Sequence, residues 1–181
     1  MNLQMNHDGT ITHRASHAAS RLRRRAFSLV ELVIVVVIIA IIGAIAIPRL
    51  SRGAAGASDS ALIADLAILR SAIDLYTTEH AGTGPGATIV NQLTLYSDAA
   101  GATSATKTAT HIYGPYLRTV PPLPVGTKRG KNGVFVETVA ANNPPGGAAT
   151  DGWWYNSATG VIRPNLAAAE TDDAGVAYNA Y

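Results

Sequence analysis

One stretch constrains this chain more than any other. Residues 27–47, FSLVELVIVVVIIAIIGAIAI, hold a single ionisable side chain, Glu31. As a helix rising about 1.5 Å per residue, such a run extends roughly 30 Å, the thickness of a bilayer's hydrocarbon core. Its Val and Ile residues have modest helix propensity in water, but lipid offers no partner for a free N–H or C=O, which selects helix. A secretory signal peptide is the competing reading. Its apolar core is usually about 7 to 15 residues long and ends at a small-residue cleavage site, whereas this run continues through Pro48 into a helical pattern. Arg21, Arg23, Arg24 and Arg25 stand immediately before it, and the positive-inside tendency keeps them cytoplasmic with the C-terminal bulk outside. A plain single-span anchor would show the same pattern, so these features set topology without setting function.

Composition narrows the function classes. At 181 residues there is room for one modest domain beside the apolar segment. Residues 1–26 carry five of the 14 basic side chains (Arg14 and the four above) and one of the 12 acids, Asp8, so the basic balance belongs to the N-terminus. From Phe27 onward the chain has no basic stripe for nucleic acid. There is no cysteine, which excludes disulfides, thiolate metal sites and a cysteine nucleophile. Of the five histidines, His7, His13 and His17 lie in the first 26 residues, leaving His80 and His111.

Glu31 demands an explanation, because an acid at mid-bilayer costs about 2.5 kcal/mol or more on insertion scales, though less near the interface. Either it sits near the helix start, where headgroups and the helix dipole favour it, or it meets a positive charge in an assembled state. Arg-Arg-Arg-Ala26 followed by Phe27-Ser28-Leu29-Val30-Glu31-Leu32 resembles the class III signal of type IV pilins and type II secretion pseudopilins. The resemblance implies that a prepilin peptidase cuts between Ala26 and Phe27 and methylates Phe27. It implies that Glu31 pairs with a neighbouring subunit's terminal amine, and that Pro48 is a helix-kinking proline. Ala26 stands where the family usually has glycine. Implied partners are copies of the chain in a filament, the peptidase, an inner-membrane assembly platform and minor pilins. Implied locations are the bacterial inner membrane before assembly and a periplasmic or extracellular filament afterwards.

The domains read as a basic leader removed from 1–26, an apolar transmembrane and filament-core helix over 27–47, a kinked amphipathic continuation over 48–80, and a loop-rich β headpiece over 81–181. Pro48, Gly53 and Gly56 weaken the helix locally, so bending or melting is easiest between Gly43 and Gly56. Leu62, Leu66, Leu69, Ile73 and Tyr76 recur at spacings of four and three, which predicts one greasy face for a small sheet to cover. Gly82, Gly84, Pro85 and Gly86 stop the helix. Residues 87–110 read as a connecting loop with an apolar island at Ile89, Val90, Leu93 and Leu95. Pro121, Pro122 and Pro124 favour extended backbone. Val134 to Val139 predicts a strand, 142–147 a turn, and GWWYN with the SATG and VIRP after it a hairpin. The expected fold is α+β and pilin-like, a long N-terminal helix packed on a small antiparallel sheet. Trp153, Trp154 and Tyr155 could stack on a sugar, but core packing is the preferred reading, with alternate residues facing the helix.

No catalytic constellation is recognisable, and the reading is that this is not an enzyme. Gly126-Thr127-Lys128 lacks the upstream glycine and spacing of a phosphate loop, and Lys128, Arg129 and Lys131 read as a solvated basic turn. Asp172 and Asp173 are the calcium candidates, in a tail with Glu170, yet no fixed ligand spacing is recognisable and a solvated acidic tail is preferred; no other cofactor is expected. The functional reading is a filament subunit, a type II secretion pseudopilin ahead of a type IV pilin for adhesion, motility or DNA uptake. The missing cysteine pair and the GWWYN segment, which resembles the pseudopilin branch, favour the former. A membrane-tethered module that binds a ligand through exposed aromatics is the reading of another class.

Overall fold

A computed structural model describes residues 27–181, apart from the side chains of 46–52. The leader 1–26 lies outside the described residues, and with it the arginine cluster and Ala26. The chain divides into two compact units between Ala44 and Ile45.

Helix α1 is Leu29–Glu79. Its helical assignment runs through Pro48, Gly53 and Gly56 without interruption, so the weak residues between Gly43 and Gly56 do not end it. Pro48 has no N–H and cannot bond the carbonyl of Ala44, the last residue of the first unit.

In the second unit the predicted stripe forms the core. Leu62, Leu66, Leu69, Ile73 and Tyr76 are all buried, packed with Leu123, Trp153, Tyr155, Ile162 and Leu166. The helix stops as expected: Gly82 donates to Thr77 O at 2.8 Å, with Ala81 in the left-handed region at φ 54°.

The connecting loop expected over 87–110 is more ordered than that. Helix α2 is Ile89–Thr94, with Ile89 and Leu93 buried one turn apart. Strands β1 (Tyr96–Ser97) and β2 (Thr103–Ser104) then form a small antiparallel pair. The remaining sheet has three strands, β3 (Gly133–Glu137), β4 (Asp151–Asn156) and β5 (Val161–Pro164), in the order β3-β4-β5.

The β4–β5 hairpin is antiparallel, as the GWWYN…VIRP spacing predicts. Strand β3, however, pairs parallel to β4, which makes this sheet mixed and corrects the wholly antiparallel expectation. The reason is the connection: parallel strands need a crossover of about a dozen residues, and 138–150 supplies one without a helix. Buried Asn165 secures it, its side chain bonding Gly146 N, Gly146 O and Asp151 O, each at 2.8 Å. Glycine is obligatory at 152, where an added Cβ would overlap the Lys131 main-chain carbonyl.

Candidate processing and assembly site

The two described residues of the expected site sit at the start of α1. Phe27 precedes the helix and is 78% exposed. Leu32 N–H donates to Ser28 O at 3.1 Å, closing the first turn, and Glu31 lies within that turn, exposed. An acid there faces the positive end of the helix dipole. Glu31 and the expected new terminus at Phe27 are therefore one turn apart. Pro48 falls within α1, but its side chain lies outside the described residues.

Past Glu31 the segment has no polar face. Every large apolar side chain in 27–45 is between 46% and 78% exposed. A helix that is apolar all round belongs inside something, since water-facing helices carry charge on their outer side. Covering each of these half-exposed side chains contributes about 1 kcal/mol, and the run as a whole on the order of 10 kcal/mol. Among the described residues, no helix is long and apolar enough to cross a membrane. The expected span 27–47 runs on into Ala46 and Ile47, whose side chains lie outside the described residues.

The other candidate residues fall elsewhere. Asp172 turns its carboxylate into its own loop, accepting from Ala174 N at 2.9 Å, Val176 N at 2.8 Å and the Tyr181 hydroxyl. The Tyr181 hydroxyl and then the Val176 N–H hold its acid below the usual carboxylate range. Asp173 is exposed. Among the described residues no group of three or more His, Cys, Asp or Glu side chains is placed to hold a metal ion. At 126–131 the Thr127 N–H, which a phosphate would require, donates to Glu170 at 2.7 Å. Trp153, Trp154 and Tyr155 are 0%, 2% and 0% exposed, so the ligand-stacking surface considered for them is absent from this strand. The indole of Trp153 donates to Pro121 O at 2.8 Å and the hydroxyl of Tyr155 to Pro85 O at 3.1 Å. Burial, more than the neighbouring Tyr76, pushes the Tyr155 hydroxyl up to about 12.

Sequence reasoning missed two sets of residues. His80 is buried, stacked on Tyr76 at 3.8 Å, with its ring nitrogens 2.8 Å from Tyr76 O and 2.9 Å from Asp98 O. Besides these two main-chain oxygens it meets the Ser97 hydroxyl at 3.2 Å, and partners 17 and 18 residues away are not revealed by any local pattern. The second set was visible: Ile63, Ile68 and Leu75 are 55%, 50% and 50% exposed, so α1 is apolar on more than the one face expected.

Residues 21–47 match the family model described as the prokaryotic N-terminal methylation motif. The match straddles the Ala26–Phe27 bond and ends with the apolar run. Comparisons with curated proteins and with solved structures return no match. The motif is a type IV pilin-like signal, of the kind that marks prepilin processing, membrane anchoring before assembly, and pilus-like assembly.

Proposed function

We propose that this chain is a non-enzymatic structural subunit of a pilus-like filament, most specifically a type II secretion pseudopilin. A prepilin peptidase cuts it between Ala26 and Phe27 and methylates Phe27. The inner membrane stores the mature protein by the apolar helix until an assembly platform extracts it. The observation that carries this reading is the coincidence of the methylation motif at 21–47 with a helix whose apolar side chains are exposed on every side. Lipid covers that surface before assembly, and the helices of other copies cover it afterwards. Glu31 then meets the amine of a neighbour's Phe27, which sets axial register. The absence of cysteine and the central place of GWWYN in the sheet support a pseudopilin over an adhesive pilin.

Sequencing the mature N-terminus tests the processing step. N-methylated phenylalanine at position 27 is expected, and an intact leader, or a cut well beyond Pro48, would sink the reading. The pairing has its own test. Glu31→Ala should insert and be processed normally yet enter filaments at a tenth of the normal yield or less, and normal yield would remove Glu31 from assembly.

A further inference from the structure

We propose that the cleft between the crossover 138–150 and the outer face of the β4–β5 hairpin is a binding site for a small hydroxylated carboxylate, of the class of a single sugar acid. The inference concerns the headpiece alone and does not rest on the filament reading.

Antiparallel pairing sets Trp154 opposite Arg163 and Asn156 opposite Val161. Strand alternation turns them to the side away from Trp153, Tyr155 and Ile162, which pack in the core. Asn142 and Asn143 of the crossover and Thr159 of the hairpin turn complete a cleft of about 190 Å³. Fully buried Asn156 ties its rims together. Its amide donates to Val139 O at 2.9 Å, and its carbonyl oxygen accepts from Ala158 N at 3.0 Å and Thr159 N at 3.2 Å. Crossover and turn are therefore held in place before any ligand arrives, which lowers the ordering cost of binding.

Trp154 points to the ligand. It is 2% exposed, yet among the described residues its indole N–H has no hydrogen-bond partner, whereas that of Trp153 donates to Pro121 O. No fully occluded side-chain nitrogen or oxygen among the described residues lacks a partner, so this N–H keeps an opening, and the cleft is the space that Trp154 lines. Leaving a buried donor unpaired is costly, and an acceptor from outside the chain would satisfy it. Across the strand pair, Arg163 commits Nη1 to Asn143 Oδ1 at 2.9 Å. That leaves its Nε and Nη2 edge, whose parallel N–H bonds match the two oxygens of a carboxylate. Glu137 does not compete, because its carboxylate accepts from Thr138 N, Val139 N and Asn142 Nδ2 in its own turn. The Thr159 hydroxyl and Asn142 Oδ1, without partners among the described residues, suit hydroxyl groups, and half-exposed Val161 supplies an apolar wall. The space is smaller than the roughly 300 Å³ or more of a drug-sized site and fits one sugar unit. Trp154 offers that unit its N–H edge, with no ring face to stack on.

Labelling tryptophan with nitrogen-15 in the full chain, held in a sugar-free zwitterionic detergent, gives two indole N–H resonances, and Trp154→Phe identifies which is which. Glucuronate should move the Trp154 resonance saturably, with half-saturation in the millimolar range, and leave that of Trp153 in place. Arg163→Gln should weaken this binding tenfold or more, with the Trp153 resonance and thermal unfolding unchanged. Glucose, which lacks the carboxylate, and acetate, which lacks the hydroxyls, should each bind at least tenfold more weakly than glucuronate. No saturable movement with glucuronate, or movement that persists undiminished in Arg163→Gln, would overturn the proposal. Glucose binding as tightly as glucuronate would overturn the carboxylate, and acetate binding as tightly would overturn the sugar-sized ligand.

Discussion

Residues 29–45 and residues 62–76 belong to the same helix, yet they solve the problem of apolar surface in opposite ways. The later stretch carries a stripe that the chain's own strands cover, leaving Leu62, Leu66 and Leu69 at most 1% exposed, with only Ile63, Ile68 and Leu75 among its large apolar side chains left outside that cover. The earlier stretch has no stripe, and all its large side chains stay at least 46% exposed. The first kind of surface stabilises a headpiece in any single copy. The second requires cover from outside the chain, and stabilises whatever assembly supplies that cover.

This contrast can be broken. Gly152→Ala should have the largest effect, because its Cβ would meet main chain that cannot swing aside. Tryptophan emission of the full chain in detergent should be that of an unfolded headpiece, and a native spectrum would refute the close approach. Leu66→Ala should cost about 2–5 kcal/mol of headpiece stability through lost burial and a cavity. Ile38→Ala should leave headpiece melting within about 0.5 kcal/mol of the parent. Equal destabilisation by the two would erase the distinction between the regions.

Ala81→Gly works in the other direction. A non-glycine residue in the left-handed region costs roughly 1–2 kcal/mol, so relieving it should raise stability by about 1 kcal/mol in urea denaturation, less glycine's extra unfolded-state entropy. A lower midpoint would show that Ala81 is not strained.

Acid should have the mildest effect. The Glu137 carboxylate accepts from Val139 N, Asn142 Nδ2 and Thr138 N, which hold its acid below the usual range, and Asp172 is held low by Tyr181 and its own loop. In both cases the unfolded chain takes up protons first as pH falls. The stability they contribute is therefore present above about pH 4 and is lost progressively below it. Protection of the Thr138, Val139 and Val176 amides, taken as exchange relative to the intrinsic rate at the same pH, should fall below that point, ahead of the core strands. Protection unchanged by acid would remove these carboxylates from the fold's pH dependence.

The range of each signal decides what was legible in the sequence. The stripe from Leu62 to Tyr76 was readable because helical spacing and burial are tied by the geometry of one element, and all five of its residues are buried. The hairpin of β4 and β5 was readable from a short turn between two β-rich runs. The direction of β3 was not, since alternation identifies a strand without saying which way its neighbour runs. Trp154 shows the same limit. Alternation assigned one face of β4 to the core, but Ala140, Asn142 and Asn143 of the crossover lie beside Trp154 on the other face, and both tryptophans are buried. Helix α2 escaped because six residues are too short for a period, although Ile89 and Leu93 stand one turn apart. At the candidate site, the position of Phe27 and Glu31 at the start of α1 was legible from the apolar run, while their roles in processing and assembly are proposals. Ile63, Ile68 and Leu75 were equally available, but they lie off the stripe, and a single apolar period does not reveal them.

The burial of both tryptophans in β4 has an optical consequence. The chain has only these two indoles, and residues 27–45 contain neither tryptophan nor tyrosine. Intrinsic emission therefore reads the headpiece alone, while the apolar helix is dark. A probe placed in the dark segment would give a second, independent colour, and filament growth could be followed in one channel while folding is watched in the other.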